Sequence, residues 1–140
     1  MKIAIIGGGN MGGAFARAFI SQDICKPSEL MIVEVSTARR RELLKDFGCV
    51  VEASVSKKIS QYETVFLSVK PLEMSAVCAS LKPHLKASQI LVSVLAGVSI
   101  AAISRALGGH KKVIRCMPNL PLQIGMGMCV YAASEDVPKA

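Results

Sequence analysis

The chain opens with Lys2-Ile3-Ala4-Ile5-Ile6, breaks into Gly7-Gly8-Gly9-Asn10-Met11-Gly12-Gly13, and resumes as Ala14-Phe15-Ala16-Arg17-Ala18-Phe19-Ile20. An apolar run of strand length, a glycine turn and a helix-forming run, in that order, leave few folds open. This is the context in which a G-x-G-x-x-G spacing has a mechanical meaning. Gly7 permits the tight turn, Gly9 lets the backbone come close to a pyrophosphate, and Gly12 lets the helix pack closely on the strand. The helix that starts here aims its unsatisfied N–H groups and its positive dipole end at an anion. Glycine clusters also occur in turns that hold nothing, so the motif gains weight from the rest of the chain.

Strand and helix segments alternate beyond it. The first helix is expected from Asn10 to Ser21, ended by Ser21-Gln22-Asp23 and by Pro27 beyond. Leu30 to Val35 reads as a strand whose continuous hydrophobicity suits parallel pairing with both faces covered. Thr37 to Phe47 reads as a helix with Gly48 just past its end. A short strand at Cys49-Val50-Val51, a brief helical turn over 56–61 and a strand from Thr64 to Val69 come next. Lys70 and Pro71 then open a helix that ends near Leu81, before Pro83. Gln89 to Val94 is the next strand, Ser99 to Leu107 the next helix, and Gly108-Gly109 stops it. Lys112–Arg115 and Met128–Ala132 are the last strands, flanking the Pro/Gly-rich connection 117–127. The pattern implies an α/β fold with a doubly wound, mostly parallel sheet, as one domain over residues 1–140. Ligands of such sheets sit outside the carboxyl ends of the strands. Gly7 to Gly12, Glu34 to Arg41, Val69-Lys70-Pro71 and Leu95-Ala96-Gly97 all fall there.

Composition narrows the partners. The net charge of +7 favours anions, but with four Phe, two Tyr and no Trp the chain lacks the aromatic and basic interleaving that stacks bases. No nucleic-acid partner is expected. The longest largely apolar stretch, Ile90 to Ile103, is too short to span a bilayer, so no membrane partner is expected either. Cys25, Cys49, Cys78, Cys116 and Cys129 are scattered, odd in number and far from His84 and His110. That spacing suggests neither a metal site nor a disulfide framework, and reads as buried free thiols in a reducing cytoplasm.

The end of the second strand selects the cofactor. A carboxylate there accepts from the free ribose hydroxyls of NAD, whereas arginines pair with the 2′-phosphate of NADP. Glu34 lies 22 positions past Gly12, and Ser36, Thr37, Arg39, Arg40 and Arg41 come soon after it. The arginine cluster favours NADP, with NAD as the alternative. If Glu34 points into the site it repels the phosphate.

Gly7-Gly8-Gly9-Asn10-Met11-Gly12, Val69-Lys70-Pro71, Ser93-Val94-Leu95-Ala96-Gly97-Val98 and Arg115-Cys116-Met117-Pro118-Asn119-Leu120-Pro121 together resemble pyrroline-5-carboxylate reductase. The resemblance runs along essentially the whole chain. It implies a Rossmann-type cofactor domain and reduction of the cyclic imine 1-pyrroline-5-carboxylate to L-proline by hydride from NADPH or NADH. The glycine turn and the end of the second strand make Gly7, Gly9, Asn10, Met11, Gly12, Glu34, Ser36, Arg39 and Arg40 the expected cofactor site, and the resemblance extends it. Val69, Lys70, Pro71, Ala96 and Gly97 would line the nicotinamide half, and Asn119 would stand on the substrate side. Leu120 replaces the Thr usual in the family, and no residue is assigned among Ser54, Val55 and Ser56, where the family commonly has Asn. Family members continue into an all-helical second domain that forms the homo-oligomer, and this domain is absent from the chain. The chain is therefore expected to be the cofactor-binding part, inactive by itself. No residue stands out as the catalytic acid. The competing expectations are a related β-hydroxyacid or coenzyme-F420-dependent oxidoreductase, and a non-catalytic dinucleotide-binding or regulatory module.

Overall fold

The computed structural model describes residues 1–119, 121, 124 and 126–139. Its strands are β1 (Ile3–Ile6), β2 (Leu30–Val33), β3 (Val50–Glu52), β4 (Thr64–Leu67), β5 (Ile90–Ser93), β6 (Val113–Pro118) and β7 (Cys129–Ala133). Helices α1 (Asn10–Ser21), α2 (Thr37–Phe47), α3 (Met74–Leu81) and α4 (Ile100–Ala106) connect them, with short 3-10 turns at Pro27–Glu29, Lys57–Gln61 and Pro71–Glu73. The sheet order is β3-β2-β1-β4-β5-β6-β7, parallel throughout except for the antiparallel β6–β7 pair. The doubly wound, mostly parallel sheet is as the sequence implied.

The strands are apolar on both faces because both faces are covered. Ile3, Ile5, Ile32, Phe66 and Val92 meet Phe15, Phe19, Leu43 and Phe47 of α1 and α2. Ala4, Ile6, Val33, Leu67 and Leu91 meet Cys78, Leu81 and Ile103 of α3 and α4 on the other face. Phe15, Phe19 and Phe66 close into a tilted aromatic trio with centroids 5.0–5.7 Å apart, which anchors α1 on β4.

Local chemistry sets the helix ends. The Ser36 side chain accepts from the Arg39 N–H at the start of α2, and Gly48 closes that helix with φ 60°. Ser99 does the same for α4, accepting from Ala102 N–H at 3.1 Å. Helix α1 has Gly9 at its N-cap position and no side-chain cap. Its first-turn N–H groups are therefore left to something other than a side chain of the preceding loop.

The expectation for the cysteines holds for three of the five. Cys25, Cys49 and Cys78 are free and buried, and burial raises all three thiol pKa values, that of Cys49 to about 11. Cys116 and Cys129 are instead joined as a disulfide, with Cα atoms 6.3 Å apart. The reason is register. Cys116 lies opposite Tyr131 and Cys129 opposite Pro118, so the two sulfurs share one face of an antiparallel ladder as diagonal neighbours. Their separation of 13 residues gives no hint of this.

Candidate dinucleotide site

The turn after β1 is held by two close approaches. Gly7 has φ 98°, and a Cβ on it would lie 2.3 Å from Ser68 O at the end of β4. A Cβ on Gly12 would lie 1.9 Å from Gly7 O, so α1 starts in contact with the turn that launches it. Gly9 differs from both. Its φ of −64° is ordinary, and a Cβ there would meet no protein atom within 4 Å. Neither backbone conformation nor packing requires a glycine at 9, and the space its side chain would fill belongs to a cleft.

That cleft, of about 730 Å³, runs along the carboxyl ends of β1 to β4. Ile6, Gly7 and Gly9 form its floor, Val33, Glu34, Val35 and Ala53–Val55 one side, and Ser68, Val69 and Lys70 the other. Leu72, Glu73, Ala76, Val77 and Ser80 close it from the Pro71–Glu73 turn and α3. The Glu34 carboxylate is half-buried at the end of β2. It accepts from Gly8 N–H at 3.0 Å and from Ser36 N–H at 2.8 Å, which ties the glycine turn to the start of α2. At the opposite wall the Glu73 carboxylate accepts from Lys70 N–H at 3.0 Å and fixes the entry to α3.

Of the residues singled out from the sequence, Gly7, Gly9, Glu34, Val69 and Lys70 meet in this cleft. Gly12 lies beneath it as the packing contact of α1, and Met11 packs against the core between α1, α2 and the sheet. Asn10 and Arg39 face a smaller hollow of about 280 Å³ between α1 and α2, beside Gly13, Arg17 and Phe47. Arg39 Nε donates to Gly8 O at 2.8 Å and its Nη1 pairs with Glu42 at 2.8 Å. Arg40 folds back over the loop after β2, its Nη1 donating to Glu34 O and Val35 O and its Nη2 to Thr37 Oγ1. Ser36 caps α2, Pro71 opens the 3-10 turn, and Ala96 and Gly97 form the turn after β5; none of these four is part of the cleft wall.

Asn119 directly follows β6, toward the far end of the sheet order, and its Oδ1 accepts from Met128 N–H at 2.9 Å just before β7. Leu120 lies outside the described residues. The cleft also contains residues to which the sequence reading assigned no role: Ser68, Ala53, Ser54, Val55 and the α3-side wall. Their only sequence signal is position, directly after β3 and β4. Among the described residues no group of three or more His, Cys, Asp or Glu could hold a metal ion. No helix among them is long and apolar enough to cross a membrane.

Two observations fit a dinucleotide to this cleft: an uncapped helix start behind a glycine whose missing Cβ leaves open space, and a buried Ser68 hydroxyl with no hydrogen-bond partner. Pyrroline-5-carboxylate reductase of Pseudomonas aeruginosa is 32% identical over 139 residues, 99% of this chain and 50% of the relative. The Aquifex aeolicus enzyme of the same name is 34% identical over 128 residues, 91% of this chain and 46% of the relative. The solved structure of a pyrroline-5-carboxylate reductase from Coxiella burnetii superposes with TM-score 0.92 at 26% identity, over 99% of this chain and 51% of that one. The Plasmodium falciparum pyrroline carboxylate reductase solved with NADP bound does so with TM-score 0.84 at 25% identity, over 99% and 50%. The chain thus spans about half the length of the curated relatives it matches. Residues 2–97, from β1 through the turn after β5, match the family model for NADP oxidoreductase coenzyme F420-dependent. The chain belongs to that oxidoreductase family.

Proposed function

We propose that this chain is the nicotinamide-cofactor-binding part of an enzyme that reduces 1-pyrroline-5-carboxylate to L-proline. The observation that carries the reading is Gly9, a glycine that neither backbone nor packing requires, at the uncapped start of a helix and on the floor of the cleft. Such an arrangement accepts a pyrophosphate on backbone N–H groups. The adenosine half then extends over the end of β2 toward Glu34, and the nicotinamide half over the end of β4 toward Val69 and Lys70. The bound cofactor supplies the hydride. The chain orients the ring on this wall and excludes water from one side of it. Met11 supports the site from the first turn of α1, Pro71, Ala96 and Gly97 from the turns after β4 and β5, and Asn119, bonded to Met128 N–H, stands on the substrate side.

Geometry at β2 supports NADH over NADPH. The Glu34 carboxylate lines the cleft, whereas the Arg39 and Arg40 guanidinium groups are directed to Gly8 O, Glu42, Glu34 O, Val35 O and Thr37. An anion already at the ribose position opposes a 2′-phosphate. NADPH is the second reading, favoured by the NADP in the Plasmodium relative and by the NADP in the family's description. A 2′-phosphate would then draw Arg40 off its carbonyl partners. Imine turnover and homo-oligomer assembly belong to this chain together with the part of its relatives' length that it does not span.

The test mixes the chain with NADH and 1-pyrroline-5-carboxylate and measures L-proline, alone and with the remaining half of the Pseudomonas relative fused after residue 140. The expected result is binding without appreciable proline from the chain and proline from the fusion. A fusion that binds NADH but leaves the imine untouched, while it reduces a deazaflavin with NADH or oxidises a hydroxyacid with NAD+, refutes the substrate assignment.

A further inference from the structure

Among the described residues, two buried side-chain polar atoms lack a hydrogen-bond partner, Arg115 Nε and Ser68 Oγ. Arg115 lies on β6, away from the cleft wall, with its Nη2 3.8 Å from Met117 Sδ. Ser68 is part of the cleft wall, directly after β4 and against Gly7. Three other polar side chains of the wall have partners: Glu34 with Gly8 and Ser36, Glu73 with Lys70, and Ser80 with Val77 O. A buried hydroxyl without a partner is uncommon and asks for an explanation. The sheet order supplies one. β4 flanks β1 on the side opposite β2, so Ser68 stands across the glycine turn from Glu34. A dinucleotide with its adenosine over Glu34 and its pyrophosphate over Gly9 would extend its second ribose to the β4 side of the turn, where Ser68 lines the cleft.

We propose that Ser68 is a positioning residue whose hydroxyl bonds the nicotinamide-side ribose of the bound dinucleotide. The inference rests on the dinucleotide reading given above. A serine hydroxyl moves between three staggered positions about one bond, and it both donates and accepts. Seating a ribose against Gly7 and Val69 therefore turns the stowed hydroxyl toward the cleft and gives it the partner it lacks. Held there, the ribose fixes the face of the nicotinamide ring that the β4 wall presents to a substrate.

The experiment compares the chain with Ser68→Ala in calorimetric titrations with ADP, ADP-ribose and NADH, and records the melting temperature of each protein without ligand. ADP carries the adenosine and pyrophosphate only; ADP-ribose adds the ribose in question. The expected result is a loss of about fivefold in affinity for ADP-ribose and NADH, an unchanged affinity for ADP, and a melting temperature no lower than the parent's. Equal affinities of the two proteins for all three ligands overturn the proposal while leaving the dinucleotide reading intact. An equal loss for ADP also overturns it, because the effect would then lie at the pyrophosphate or in the fold. Failure of the parent chain to bind any of the three overturns the dinucleotide reading and this proposal with it.

Discussion

Replacing Gly9 by alanine separates the fold from the site. At φ −64° and ψ −160° the residue is extended backbone outside the left-handed region, and the added methyl meets no protein atom within 4 Å. Restricting the unfolded chain favours Gly9→Ala by about 0.4–1 kcal/mol, and the poorer N-cap preference of alanine offsets a similar amount. Folding stability should therefore stay within about 1 kcal/mol of the parent. Binding should not. A Cβ stands about 1.5 Å, one C–C bond, proud of the backbone. Standing in the cleft, that methyl keeps a phosphate oxygen from the approach of about 2.9 Å that a hydrogen bond to the backbone N–H groups needs. Losing one or two hydrogen bonds to a charged acceptor, each worth about 1.5–3 kcal/mol, weakens NADH binding by roughly tenfold to a hundredfold or more. Gly12→Ala is the contrast, because its methyl would lie 1.9 Å from Gly7 O, a backbone atom that cannot turn aside. It should lower stability by about 3 kcal/mol. Urea unfolding and NADH titration of both variants measure the difference. Gly9→Ala with parental affinity, or with the instability of Gly12→Ala, would remove Gly9 from the binding surface.

Three further outcomes are expected. Glu34→Gln should shift the NADPH-to-NADH affinity ratio toward NADPH by about tenfold, a screened remnant of the ~4 kcal/mol between unit charges 4 Å apart at a protein surface; competitive titration reads it, and an unchanged ratio removes Glu34 from the ribose. Burial lowers the His110 pKa, although its bond to Gln89 O opposes the shift. The unfolded chain then binds the extra proton first, so the stability from neutral His110 is fully present above about pH 6.5 and is lost as pH falls through the lowered folded value. Urea midpoints between about pH 7.5 and about pH 5 should fall, and His110→Gln should flatten that slope. Thiol labelling without reductant should modify none of Cys25, Cys49 and Cys78 in the native protein, three thiols on unfolding, and five after unfolding with reductant. Five on unfolding without reductant would contradict the Cys116–Cys129 pair.

Much of this architecture was legible because local chemistry and tertiary context agree. Helices α1 and α2 begin and end where the sequence placed them: Gly9 and Ser36 set their starts, and Gly48 takes the left-handed conformation after Phe47. The strand β2 stops at Val33, two residues before the apolar run ends, because the chain peels away there to present Glu34 and Val35 to the cleft. Hydrophobicity alone cannot mark that departure, since Val35 is as apolar as its neighbours and 83% exposed. The direction of Arg39 and Arg40 was equally hidden. Charge spacing places both near the end of β2, but the carbonyls they find depend on how the loop folds. Leu72, Ala76 and Val77 joined the site through the docking of α3 on the sheet, and the disulfide through strand register; neither leaves a local motif.

Dinucleotide binding in the cleft is best tested by titrating isotope-labelled chain with NADH and recording its backbone amide resonances. Saturable shifts should concentrate at Gly7 to Gly9, Glu34 and Ser68 to Lys70, the residues that converge on the cleft floor and its two sides. No change up to millimolar NADH, or shifts confined to Gly13, Arg17 and Phe47 in the hollow between α1 and α2, would contradict binding there.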